Sequence, residues 1–197
     1  MFTRNARLIL AVVYDDGIVA DRVLSELGYA LRDQGVSVKG LVQRNTFRRD
    51  RAKCDMELEE LGSAAVFQLS KDRGKHAGGC RLDREAIASA AALIGPALGE
   101  GADLLILNKF GRSEAEGGGL REIVAASVSL EIPTLVGVPR RNLEVWQKFA
   151  EGLFDRCGID EVQALLSWVK HRTGRDIRLG TSGFARSERR ENAIISN

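Results

Sequence analysis

Three polar clusters, each placed just after an apolar run, carry the chemistry that this sequence can offer. Asp15 and Asp16 follow the run Leu8 to Val13 and precede a helical pattern. Adjacent carboxylates at a helix start either cap it, accepting its free N–H groups, or coordinate a cation such as magnesium. Both readings are open at this point. Gln43, Arg44 and Asn45 begin a polar stretch in which Arg44, Arg48, Arg49, Arg51 and Lys53 are set against one acid, Asp50. Neutral amides beside a guanidinium suit hydrogen bonding to an anion. The third cluster joins Asn108, Lys109, Arg112, Glu114 and Glu116 to Gly117, Gly118 and Gly119, just before another helix. Backbone N–H groups of the glycines and the helix dipole favour an anion there, and Lys109 or Arg112 can pair with it. Glu114 or Glu116 can position water or a cation.

The elements that must position these clusters follow from hydrophobic period. Arg7 to Val13, Val36 to Val42, Asp103 to Leu107 and Pro133 to Val138 are short, continuous apolar runs, as strands buried on both faces require. Between them lie helical patterns: Val19 to Leu31, Arg84 to Leu98 with Asp83 as N-cap, and Leu120 to Leu130. Asn142 is expected to cap a helix through Phe149, and Ile159 to Val169 forms a last one, with Trp146 and Trp168 in the core. Alternation of strand and helix predicts parallel crossovers. Cys54 to Glu59 alternates instead, with Asp55, Glu57 and Glu59 on the solvent side, and Ala65 to Leu69 is its expected hairpin partner outside the parallel core. In a parallel sheet the loops after the strands share one crevice, so Tyr14–Asp16, Gln43–Asn45, Asn108–Gly119 and Pro139–Asn142 should face one another.

Composition excludes several classes. The chain has 197 residues, 44% hydrophobic and 28% charged, which fits one core: a single α/β domain over residues 1–174. From Arg172 onward six arginines and three acids fall in 26 residues, so 175–197 is expected to be a disordered arginine-rich tail. A formal charge of +2 argues against general nucleic-acid binding as a class, and the first apolar run is too short for a membrane span or signal peptide. A cytoplasmic protein is expected. Its three cysteines, Cys54, Cys80 and Cys157, are widely spaced and odd in number, as thiols in a reducing compartment are. His76 with Cys80 lacks the close Cys-x-x-Cys pair that a zinc site needs.

Taken together, Val12 to Gly17, Gly40 to Asn45, Cys54 to Met56, Gly79 to Asp83 and Asp103 to Gly111 resemble an uncharacterised bacterial family. That family is similar to the P-loop nucleoside-triphosphatases of thermophiles, and many members are encoded near molybdate-transport genes; the likeness covers residues 7 to 153. The resemblance implies a three-layer P-loop NTPase-like fold with a mainly parallel sheet and a small β-hairpin insertion. It also implies degenerate motifs: Val19 and Ala20 stand where the lysine and threonine of Walker A belong, and Asn108 and Lys109 replace the acidic pair of Walker B, with Glu114 matching its last glutamate. The expected activity is therefore that of an accessory protein binding a small anion or anionic metabolite, with molybdate the candidate the resemblance supplies. Its contacts would be Gln43, Arg44, Asn45, Asn108, Lys109, Arg112 and the N–H groups of Gly117, Gly118 and Gly119. The competing expectation is a magnesium-dependent nucleoside-triphosphate hydrolase or transferase with Asp15 and Asp16 on the metal and Glu114 as the catalytic residue. A homodimer through the flanking helices is compatible with either.

Overall fold

Side chains alternate between two cores along the central strands. In β1 (Ile9–Tyr14), Ile9 and Ala11 enter one apolar cluster and Leu10 and Val12 the other; Leu105 and Leu107 oppose Leu104 and Ile106 in the same way in β5 (Leu104–Leu107). A strand buried on both faces must be covered twice, and the helices divide accordingly. The structure, a computed structural model, describes residues 7–46, 55–69 and 83–179. The basic residues Arg48, Arg49, Arg51 and Lys53, together with Cys54, His76, Cys80 and the tail beyond 179, lie outside the described residues.

One face of the sheet is packed by α1 (Gly17–Asp33) and α6 (Val162–Thr173), which bring Leu24, Leu27, Leu31, Leu165 and Trp168 to the second cluster. The other is packed by α2 (Arg84–Gly99), α4 (Arg121–Ser129) and α5 (Leu143–Ala150), through Ala90, Ile94, Ile123, Val124 and Trp146. Trp146 and Trp168 are both fully buried, as helical stripe positions predict.

The sheet has seven strands in the order β4-β3-β2-β5-β6-β1-β7, with β2 (Val38–Thr46), β3 (Asp55–Glu60), β4 (Val66–Gln68), β6 (Thr134–Pro139) and β7 (Phe154–Gly158). Pairs β2–β5, β5–β6, β6–β1 and β1–β7 are parallel; β2–β3 and β3–β4 are antiparallel. This is the expected three-layer α/β architecture with a mainly parallel sheet.

The expected hairpin lies at the edge of the parallel core, β3 pairing antiparallel with β2 and with β4. Three local expectations are corrected. Gln43 to Thr46, read as loop, are the end of β2, because pairing with β3 supplies backbone partners that a polar sequence can use as well as an apolar one. The acids of β3 are not a solvent face, since Glu59 is buried with Tyr29, Arg32 and Arg44 around it. Finally, Asn142 holds the N-cap position of α5 as expected but makes no side-chain cap bond; its Nδ2 donates instead to the Phe110 carbonyl at 2.8 Å. Asp83 does cap α2, accepting from the Glu85 N–H at 3.0 Å. Beyond α6, residues 175–179 bury Ile177 in the core.

Candidate functional site

The carboxyl ends of β1, β2, β5 and β6 do come together, and what gathers two of these strand ends is a residue the sequence reading passed over. Asp21 lies on α1 and is buried. Its Oδ2 accepts from Gln43 Nε2 at 3.0 Å and Asn45 Nδ2 at 2.6 Å, both from the end of β2. Its Oδ1 accepts from Asn108 Nδ2 at 2.6 Å, just after β5, and has Lys109 Nζ at 3.9 Å. Gln43 Nε2 also donates to Asn45 Oδ1 at 2.8 Å, which closes the ring of amides. Four residues expected to bind an anion thus surround a carboxylate. Three neutral donors and one ammonium compensate a charge that would be costly to bury alone.

Local sequence explains the convergence. Asp21, Ser25 and Gly28 form a small-residue stripe at helical spacing, and it brings α1 close to β2 and to Leu61 in the turn after β3; Ser25 Oγ donates to the Asp21 carbonyl and, at 3.3 Å, to that of Gln43. At the end of β5 the chain crosses β6 closely: the Phe110 N–H donates to the Gly137 carbonyl at 2.6 Å, and a Cβ at Gly137 would overlap the Asn108 carbonyl oxygen. Only glycine there lets Asn108 and Lys109 turn towards Asp21. The Asn108 side chain leaves its Oδ1 sheltered from water and unpartnered. Tyr14, at the end of β1, is buried beside this cluster; burial first, then the negative charge of Asp21, push its hydroxyl far above the usual phenol range, against a smaller opposing effect of Arg141. It stays a protonated donor.

The first loop holds no phosphate cradle. Only Asp15 and Asp16 separate β1 from α1. Asp16 is the N-cap, its Oδ1 accepting from the Ile18 and Val19 N–H groups at 2.8 and 3.3 Å. Asp15 is exposed and accepts from Arg140 Nε with both oxygens, at 3.0 and 2.9 Å. These engagements do not fit a magnesium ion on the pair, and no group of three metal-ligating side chains occurs among the described residues.

The glycine cluster forms a separate place. After the short helix α3 (Arg112–Ala115), Gly118 and Gly119 border a cavity of about 300 Å³ against Ile87 of α2. Glu114 is buried, its Oε2 accepting from the Gly111 N–H at 2.8 Å and its Oε1 from the Leu120 N–H at 3.0 Å. It is bound to backbone on both oxygens and holds the loop in shape. Arg112 pairs with Glu116 at 2.6 Å on the surface. Arg44 Nη1 pairs with Glu59 at 3.2 Å, beside the Arg32 contact to the same carboxylate at 3.3 Å. Arg44 also borders a second cavity, about 290 Å³, between α1 and the end of β2, with Asp21, Arg22, Glu26 and Asn45 in its wall. The structure therefore unites Gln43, Asn45, Asn108 and Lys109, sets Arg44 on the adjoining cavity, and places Arg112 and the glycines elsewhere.

A family model described as "Protein of unknown function (DUF2478)" matches residues 9–168. The chain belongs to this family. Over 171 residues, 87% of its length, this DUF2478 chain is 28% identical to "Molybdenum import ATP-binding protein ModC 2" of Bradyrhizobium diazoefficiens, and it spans 19% of that protein. In structure it is similar to THEP1 from the hyperthermophile Aquifex aeolicus, with a TM-score of 0.59 and 11% identity over 82% of this chain and 99% of that one. The DUF2478 chain therefore has the P-loop NTPase-like fold, carried here without room for a P-loop between β1 and α1. No helix among its described residues is long and apolar enough to cross a membrane.

Proposed function

We propose that this chain is an accessory protein that binds a small anion or anionic metabolite at the carboxyl edge of its parallel strands, with molybdate as the candidate anion. The observation that carries the reading is the convergence of Gln43, Asn45, Asn108 and Lys109 on one buried point, where the crevice of an open α/β sheet lies. Lys109 Nζ stands 3.9 Å from Asp21, a loose contact that leaves its ammonium N–H groups able to meet an incoming oxyanion. Arg44 adds a second cation at the neighbouring cavity. Similarity to a segment of a molybdenum import protein supports molybdate. It would handle, store or sense the anion in the cytoplasm, as a monomer or a homodimer.

A second reading, magnesium-dependent nucleotide hydrolysis, is favoured by the fold and by the ATP-binding relative. It requires Asp15 to leave Arg140, and Glu114 to give up at least one backbone N–H. A thermal-shift panel separates the two readings, since a ligand of the native state raises the melting temperature. Molybdate, tungstate, sulfate, phosphate, ATP and GTP are each tested with and without magnesium. A magnesium-independent shift with molybdate or tungstate, absent with sulfate and lost in Lys109→Ala, is expected. A shift only with nucleotide and magnesium, with turnover lost in Glu114→Ala, would establish the hydrolase instead.

A further inference from the structure

The cavity between α1 and the end of β2 is larger and more mixed in charge than a bare oxyanion needs. At about 290 Å³ it approaches the size of small-molecule sites, well beyond one tetrahedral anion. Its wall carries two guanidinium groups, Arg22 and Arg44, and two carboxylates, Asp21 and Glu26. The two carboxylates differ in a telling way. Asp21 has its oxygens filled by the amides of Gln43, Asn45 and Asn108. Glu26 Oε2 is sheltered from water and has no hydrogen-bond partner among the described residues. A buried acceptor left without a donor is an unfavourable feature, and a native protein seldom keeps one without a use.

An anion entering alone would bring a second negative charge into a cavity that Glu26 already lines. A ligand with N–H donors would remove that conflict and satisfy the unpartnered Oε2 at once. Carboxylates take two adjacent, parallel N–H groups in a bidentate contact, and the terminal torsion of a glutamate is broad enough to present both oxygens. Arg44 suits the other end of such a ligand. Its Nη1 is held by Glu59, which already receives Arg32 and the Tyr29 hydroxyl, so Arg44 is oriented while its remaining N–H groups stay available for an anion.

We infer that this cavity takes a small organic anion that also presents two adjacent N–H donors, the pattern of a guanine edge joined to a phosphate, with Glu26 reading the donors and Arg44 the anion. The inference rests on the anion-binding reading above and names the class of ligand.

The test is calorimetric titration of the full chain with GMP, IMP, guanosine and inorganic phosphate, alongside molybdate. IMP lacks only the exocyclic amine, guanosine lacks the phosphate, and phosphate lacks the donors. GMP is expected to bind at least tenfold more tightly than each of the other three, and Glu26→Gln, checked for an unchanged melting temperature, to reduce GMP binding to the level of IMP. The comparison of GMP with IMP on the unmodified chain decides the question even if that variant is unstable. Equal binding of GMP and IMP, or no GMP binding, overturns the inference; molybdate binding in the same experiment would then leave the simpler anion reading standing. Preference for GMP with no response to molybdate keeps the donor-bearing ligand and removes molybdate as the candidate.

Discussion

Replacing Asp21 with asparagine tests whether the polar cluster is built around a carboxylate. In the native arrangement one oxygen accepts from Asn108 and the other from Gln43 and Asn45, at 2.6 to 3.0 Å. Asparagine has one acceptor oxygen and one donor NH2, so in either orientation some amide meets another donor. At least one hydrogen bond to a charged group is lost, and a buried N–H is left without a partner. A charged hydrogen bond contributes about 1.5–3 kcal/mol, and with the unpaired donor the expected loss of stability is about 2–4 kcal/mol. Guanidinium unfolding followed by the fluorescence of the two buried tryptophans, Trp146 and Trp168, reads the change. Glu144→Gln, which removes an exposed partner of Lys148, serves as the control and is expected to leave the midpoint in place. If Asp21→Asn shifts stability by less than about 1 kcal/mol, below the range for even one such bond, the carboxylate is not what organises Gln43, Asn45 and Asn108.

Three further outcomes follow from the geometry. Gly119 has φ of +62° and a Cβ there would overlap Glu114 Oε1, whereas Gly117, at φ of +97°, has open space around it; Gly119→Ala should therefore cost at least about 2 kcal/mol more than Gly117→Ala in chemical unfolding, and equal costs would show that Glu114 does not hold the loop. Both tyrosines titrate late: burial, reinforced by the Glu59 carboxylate, raises Tyr29 to about 12, and Tyr14 lies higher, so tyrosinate absorbance should be absent from the folded chain near pH 10.5. Because the folded state holds these protons more tightly, their stabilisation is complete below about pH 10 and is lost as pH rises through about 12; half of the tyrosinate signal by pH 10.5 without unfolding would refute it. Burial raises the Cys157 thiol to about 12, which leaves on the order of a thousandfold less thiolate than in an unfolded chain. In a variant carrying Cys54→Ser and Cys80→Ser, Cys157 should stay unmodified by a thiol reagent at pH 8 until denaturant is added.

Most of the scaffold was legible because buried parallel strands leave a plain signature. Leu104 to Leu107 and Thr134 to Pro139 are apolar on both faces, and helices fall between them at the expected period. What period could not show were elements whose reason is a neighbour. β7, with the sequence Phe-Asp-Arg-Cys-Gly, has only Phe154 and Cys157 buried, and it is a strand because β1 offers it a ladder. The end of β2 is likewise held by β3. Of the site, the ligand candidates at the end of β2 and after β5 were readable as polar residues closing apolar runs, yet their centre was not. Asp21 sits inside a helical pattern, where an acid is ordinarily a solvated residue. A usable signal existed: Asp21, Ser25 and Gly28 are small residues one helical turn apart, which marks a face of α1 that approaches another element closely.

The two-residue loop after β1 decides how this fold can handle an anion. A phosphate loop works by offering backbone N–H groups at the start of the first helix, and these are the groups a helix cannot satisfy internally. Here Asp16 already accepts from the Ile18 and Val19 N–H groups, and a carboxylate in that position also repels any second anion. Asp15 adds charge of the same sign and is matched by Arg140. The helix N-terminus is consumed by the chain itself. In the proposed reading, anion contacts come from side chains farther along the edge, where Asn108, Lys109, Gln43 and Asn45 meet and Arg44 opens on the adjoining cavity. Side-chain donors of this kind would impose a shape on the ligand that a row of backbone N–H groups does not, and Glu26 would add a demand for a donor in return. Exchange of a backbone cradle for a side-chain cluster would then shift the fold from general phosphate binding towards discrimination among anions by what else they carry.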